Sequence, residues 1–236
     1  MYAWIRGLSQ RFDACKCEDH IIENMQEVIN NLGFEYFAFA VRSATPFIKP
    51  KIKVFGSYPV GWVERYLDFH HSGKSELNAN HSKSSSLVIW DCSSLADVDE
   101  ALSEEAGKYG LKYGCTLSVR DFNNSFLTFS VARSLIAISS SEDKELGLKL
   151  RALVEILSEG VDMKQAGVSG ARETLLTDRE RKVLQWTAEG KSSAEVAIIL
   201  NICADTVNYH LNNIKSKLGV PNKTSAVAYG VALGLL

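Results

Sequence analysis

The sequence predicts an α+β protein in two parts: an N-terminal α/β/α sandwich and an all-α C-terminal domain built on a helix-turn-helix. Three observations predict it. Aromatic and β-branched runs recur between Phe34 and Arg133, with helical spacing before them and after them. A weakly periodic stretch at 160–174, with three glycines, then interrupts the pattern. Beyond it, 176–236 shows helical spacing alone.

The elements follow in order. In 19–32, Ile21, Ile22, Met25, Val28, Ile29 and Leu32 recur at helical intervals, and Gly33 closes the helix. "FEYFAFAVR" (34–42) and "KIKVFGSY" (51–58) read as strands, and "LVIW" (87–90) as a short extended piece. In "GWVERYLDFHHSGKSEL" (61–77), Trp62, Tyr66 and Phe69 fall at intervals of four and three before the chain turns polar. "CTLSVRD" (115–121) and "SFLTFSVAR" (125–133) form a hairpin across Asn123-Asn124. A long helix spans 141–161. The division is a sensor-sized domain over 1–165, a linker over 166–175 and a helical domain over 176–236.

Composition excludes several classes. With 46% hydrophobic and 23% charged residues the chain is ordinarily globular, and its net charge of -2 rules out a global polycation. The charge is uneven. From residue 171 onward eight Lys/Arg stand against six Asp/Glu, net +2, which leaves -4 upstream. Five cysteines, an odd number, give no disulfide framework, and a reducing compartment is expected. No secretory leader and no apolar run of membrane-spanning length is present, so the expectation is a cytoplasmic protein without membrane attachment. Cys15-Lys-Cys17 and the histidines at 70, 71 and 81 lack a convincing ligand set, so no metal and no cofactor is expected. Nucleophile elbow, P-loop and zinc signature are all missing, so the chain is not expected to be an enzyme.

The last sixty residues carry the most information. Thr177-x-x-Glu180 and Ser192-x-x-Glu195 are two capping boxes, each opening a short helix. "NICAD" turns into "TVNYHLNNIKSKLG", where Val207, Leu211, Ile214 and Leu218 form a buried stripe. The opposite side shows Asp205, Asn208, Tyr209, Asn212, Lys215 and Ser216. Amides suit base edges, and hydroxyls and amines suit phosphates. Two short helices with a brief turn, the second polar outside, make a helix-turn-helix. Pro221 and Asn222 start a fourth helix. The pattern Glu180, Leu184, Gly190, Glu195-x-Ala197, Leu200, Thr206-Val207, His210, Asn213-Ile214 and Lys217-Leu218 resembles the DNA-binding domain of the LuxR family. Cys203 departs from it, standing where the family carries Ser or Thr; a thiol is a poor helix cap. The resemblance implies a recognition helix over 204–218. Asn208, Tyr209 and Asn212 would meet bases, and Thr206, Lys215, Lys217 and Lys223 would meet phosphates. His210 sits beside the apolar stripe and is expected to pack. The small net charge favours a homodimer on a palindromic site in double-stranded DNA, its half-sites about one helical turn apart.

"FGSYPVGWVERY", "LVIWD", "GLKYGCTLSVR" and "SFLTFSVAR" resemble the autoinducer-binding domain of the same family. That implies an acyl-homoserine lactone or similar small apolar ligand between sheet and helices. By the resemblance, Tyr58 bonds the acyl amide oxygen, Trp62 the lactone carbonyl, Tyr66 and Trp90 are aromatic walls, Gly114 lets the strand approach the chain, and Ser130 is a hydroxyl contact. Thirteen residues after the tryptophan the family carries an Asp-Pro pair whose carboxylate takes the ligand amide N–H; here the count lands on Ser75 and Glu76. A short neutral hydroxyl in place of a charged acceptor weakens that anchor by about 1.5–3 kcal/mol. The expectation is a regulator with altered or lost lactone recognition, a solo member of the family. The alternative is a ligand-independent DNA-binding regulator whose N-terminal domain serves dimerisation or docks a partner protein.

Overall fold

The computed structural model describes residues 2–15, 17–71, 86–97, 99–121, 124–160 and 176–236. It divides into two compact units, one carrying a sheet and one carrying the last four helices.

The sheet unit begins with α1 (Tyr2–Asp13) and α2 (Glu18–Asn31). Arg11 ties them together through Glu27 and through Asn24, whose Oδ1 it reaches at 2.5 Å. Acidic Glu18 and Asp19 sit in the first turn of α2, where a helix favours negative charge. Gly33 follows its end at a φ of +82°, the left-handed conformation that stops a helix. Then come β1 (Tyr36–Arg42), β2 (Ile52–Gly56), α3 (Val60–His71), β3 (Ser86–Asp91), α4 (Cys92–Ala96), α5 (Glu100–Lys108), β4 (Tyr113–Arg120), β5 (Phe126–Arg133) and α6 (Ser140–Gly160). The five strands form one sheet in the order β2-β1-β5-β4-β3, every neighbour antiparallel. The expected strands are all present, each end within two residues of its predicted position.

The alternation of side chains makes the sheet two-faced. Phe37, Phe39, Val41, Cys115, Leu117, Leu127, Phe129 and Val131 are buried on one face, with Phe37 and Phe129 5.9 Å apart between ring centres. Met25, Val28 and Ile29 of α2 and Leu150, Leu153 and Leu157 of α6 are buried too, and both helices pack on strands. The register puts Ala38 opposite Ser130, Thr116 opposite Ser130, and Gly114 opposite Trp90 and Ala132 on the other face. That face carries small residues and hydroxyls and is roofed by α3, α4 and α5. Arg65 of α3 meets Glu105 of α5 at 3.3 Å, which holds the roof helices together.

The helical unit has α7 (Asp178–Ala188), α8 (Ser193–Leu200), α9 (Ala204–Leu218) and α10 (Lys223–Ala232) around Val183, Leu184, Val196, Val207, Leu211, Ile214 and Ala226. Both expected capping boxes are formed, at Thr177 with Glu180 and at Ser192 with Glu195. Asn222 caps α10, accepting from the Ser225 N–H at 2.8 Å. The expected linker over 166–175 lies outside the described residues. Among those described, no helix is long and apolar enough to cross a membrane.

Candidate ligand pocket and nucleic-acid interface

The roofed face of the sheet gathers most of the predicted ligand residues. Trp62 is 5% exposed and packs with Leu95, Leu102, Ala106, Leu111 and Ala132; Tyr58, Tyr66 and Trp90 are half-buried against the same cluster. Helical spacing of four places Tyr66 one turn after Trp62, with ring centres 6.1 Å apart.

A chain of hydrogen bonds runs beneath these rings. The Trp90 indole Nε1–H donates to Thr116 Oγ1 at 2.9 Å. Thr116 Oγ1 lies 2.9 Å from Ser130 Oγ, and Ser130 Oγ lies 3.0 Å from the Tyr58 hydroxyl. Four side chains from β3, β4, β5 and the segment before α3 are thereby linked. Burial pushes the Tyr58 and Tyr66 phenols up, Tyr66 to about 12, so both are neutral hydrogen-bonding groups at physiological pH.

Two features of the site were not read from the sequence. Thr116 sits at the centre of the chain, though only strand register reveals it: Thr116 is opposite Ser130 and diagonal to Trp90. The other is the use of Gly114. A Cβ there would stand 2.6 Å from Cε2 and from Cη2 of Trp90. The missing side chain therefore seats the indole on β4, whatever it does for a ligand. Ser75 and Glu76 lie outside the described residues, as do the side chains of His70, His71 and His81.

The second site is the outer side of α9. Asp205, Asn208, Tyr209, Asn212 and Ser216 are exposed along it, Tyr209 at 62%. Val207, Leu211 and Ile214 face inward, as their spacing predicts. Gly219, at a φ of +65°, ends the helix. Cys203 occupies the cap position without making a side-chain cap bond; its Sγ is 3.0 Å from Thr206 Oγ1 instead. Hydrogen bonds with Thr206 lower the thiol's pKa. His210 is half-buried with its ring 5.8 Å from that of Tyr209, in keeping with a packing role.

The cations are not equivalent. Lys223 is exposed and Lys215 partly so. Lys217, expected at phosphate, has its ammonium 2.7 Å from Oε2 of Glu180, whose side chain is 4% exposed. Burial works against the Glu180 charge, but bonds from Lys217 and Thr177 outweigh it and hold the carboxyl below its usual range. Lys217 is itself exposed, and its charge also links α9 to α7. A contact of another kind was also invisible in sequence: Ser193 Oγ, on α8, donates to Asn208 Oδ1 at 2.9 Å.

Comparison with known proteins bears on both sites. The model of the autoinducer binding domain matches residues 18–159, and that of the luxR family of bacterial regulatory proteins matches 174–229. The HTH-type quorum-sensing regulator RhlR of Pseudomonas aeruginosa is 40% identical over 233 residues, 99% of this chain and 96% of the relative. The regulatory protein SdiA of Escherichia coli is 30% identical over 239 residues, 100% and 98% of the two chains. A crystal structure of SdiA aligns with a TM-score of 0.85 over 99% of this chain and 98% of that one, at 30% identity. SdiA in complex with octanoyl-rac-glycerol aligns at 0.84 and 29% identity, over 99% and 96%.

Proposed function

Since the chain belongs to the LuxR family of bacterial regulatory proteins, we propose that its sensor takes a small apolar ligand but holds acyl-homoserine lactones weakly. The protein is a DNA-binding transcriptional regulator with an N-terminal small-molecule sensor domain. It acts in the cytoplasm as a homodimer on palindromic DNA.

The observation that carries the ligand reading is the hydroxyl chain from Trp90 through Thr116 and Ser130 to Tyr58, roofed by Trp62 and Tyr66. Trp90 can only donate, so polarity can run one way along the chain and leave the Tyr58 O–H free to donate to a ligand carbonyl. Ser75 stands where the family has its anionic anchor, which supports weak lactone binding. The octanoyl-glycerol held by SdiA makes a neutral acylglycerol a sensible probe for this chain too.

Thermal melting of the full-length protein tests this with lactones of several acyl lengths and with octanoyl-glycerol. Binding to the folded state raises the midpoint by mass action. A neutral acyl ligand should shift it more than any lactone at equal concentration. A large rise with micromolar lactone would reject the proposal.

A second reading has its own support. Tyr58, Ser130, Thr116 and Trp90 satisfy one another, so their polar groups need no ligand for the domain to fold. On that reading the N-terminal domain serves dimerisation or docks a partner. Native mass spectrometry of protein taken from its own cells separates the two, because a retained ligand is weighed directly.

For DNA we assign base contacts to Asn208, Tyr209 and Asn212, and phosphate contacts to Thr206, Lys215 and Lys223. Asn208, Tyr209 and Asn212 are exposed along one side of α9, Thr206 and Lys215 are partly exposed on the same helix, and Lys223 is exposed at the start of α10, which supports the assignment. Replacing Asn208 and Asn212 together by Ala should abolish sequence preference; unchanged preference would refute it.

A further inference from the structure

We infer that the outer side of α6 is where the sensor domains of two copies of this chain meet, their helices antiparallel across a two-fold axis beside Leu148. The inference rests on the homodimer reading and deepens it by naming the surface.

Inward, α6 buries Leu150, Leu153 and Leu157. Outward, Lys144, Leu148, Arg151 and Glu155 recur at intervals of four, three and four, which sets them in one line along the helix. All four are exposed, and Leu148, at 59%, is a large apolar side chain left to water. The flanks of the line are occupied. On one, Gly147 backs onto β3, where a Cβ would stand 3.2 Å from Leu87 Cδ2. On the other, Lys149 pairs with Glu145 at 2.6 Å and lies 6.0 Å from the ring centre of Trp4 on α1.

The charges decide the occupant. Lys144 and Glu155 stand at opposite ends of the line, about 16 Å apart along the axis, so they cannot meet within one helix. The ion pairs of α6 among the described residues, Glu142 with Arg133 and Lys149 with Glu145, use neither of them. Lys144 lies as far before the midpoint of Leu148 and Arg151 as Glu155 lies after it. A second copy turned end for end about that midpoint therefore sets each Lys144 against the other copy's Glu155. It also brings the two Leu148 side chains together, each covered by the aliphatic stem of the other copy's Arg151. Packed helices lie roughly 8–10 Å apart, within reach of paired lysine and glutamate side chains. A two-fold interface requires this self-complementarity, every contact occurring twice. A parallel pair would instead set Lys144 against Lys144 and Glu155 against Glu155.

The test is sedimentation equilibrium of the full-length protein, purified from its own cells, over a range of concentrations at low salt. Lys144→Glu and Glu155→Lys are made singly and then together. Each single change turns two attractive contacts into two repulsive ones and should raise the dimer's dissociation constant by about tenfold. The double exchange restores opposite charges at both contacts and should return dissociation close to the natural value. Within one chain the exchange could restore nothing, so recovery reads a contact between copies. Leu148→Asp should weaken the dimer in the natural and in the doubly exchanged background alike.

Single variants that dimerise like the natural chain would overturn the inference, and so would a double exchange as weak as the single ones. A natural chain that stays monomeric at every concentration would remove the homodimer reading itself, and that result is distinguishable from the other two.

Discussion

Gly114→Ala should destabilise the sensor domain through a single contact. The backbone there is ordinary strand, so alanine meets no strain of its own. Its Cβ, however, would stand 2.6 Å from two carbons of the Trp90 indole, well inside contact distance. Either the ring lifts off β4 or the two strands separate. Overpacking of this kind costs about 1–3 kcal/mol. A displaced indole also loses its 2.9 Å bond to Thr116, worth about 1 kcal/mol. Alanine recovers about 0.5 kcal/mol by restricting the unfolded chain. The net loss is about 2 kcal/mol, or roughly 4–8 °C in the domain's melting midpoint. Urea denaturation followed by tryptophan fluorescence measures it. Trp90→Leu supplies the control, since removing the indole should make Gly114→Ala nearly neutral. A Gly114→Ala variant as stable as the natural protein, or an equal loss in the Trp90→Leu background, would refute the argument.

Other outcomes follow from the same contacts. Thr116→Val removes the acceptor of the Trp90 N–H and should cost about 1–3 kcal/mol in chemical denaturation, although valine fills the same space. Lys217→Met leaves Glu180 buried without its cation. Loss of a buried partner costs about 3–5 kcal/mol, which we reduce to about 1–2 because the Lys217 side chain is 36% exposed. The same variant should barely change the salt dependence of DNA binding, whereas Lys215→Met lowers its slope by about 1. Glu142 is held down to about 2 by the Ser139 N–H first and by Arg133 second. Its folded value is below the unfolded 4.5, so its contribution is complete above about pH 4.5 and fades as pH falls toward 2. The stability gap between the natural chain and Glu142→Gln, measured by denaturation at a series of pH values, should close over that window.

The parts legible in the sequence are those with a strict period or a capping box. All five strands, α2, α6 and the inner stripe of α9 declare themselves by spacing alone. The helices α1, α4 and α5 do not. α1 has no acidic residue in its first turn. α4 and α5 are short, and their start signals are single aspartates: Asp91 accepts the Ser94 N–H and Asp99 the Leu102 N–H. An isolated Asp is as common in turns as at helix starts, so only the fold distinguishes the two uses. In the candidate sites, Tyr58, Trp62 and Ser130 were named by resemblance alone, whereas Thr116 depends on which residues of β4 and β5 lie opposite each other. The ion pair of Lys217 was hidden for a related reason. Its place on a cationic helix end suits phosphate, yet it lies 37 positions along the chain from Glu180, and no local pattern announces that partner.

The two sides of the central sheet differ in what they permit. Behind it, Phe37, Phe39, Phe129 and the leucines of α6 interlock, and a change of one methylene there is felt throughout. In front, Ala38, Gly114, Thr116 and Ser130 are short groups that define floor height and polarity. Because Gly114 and Thr116 also seat the Trp90 indole, the floor cannot be reshaped there without loosening the edge of the sheet that carries it.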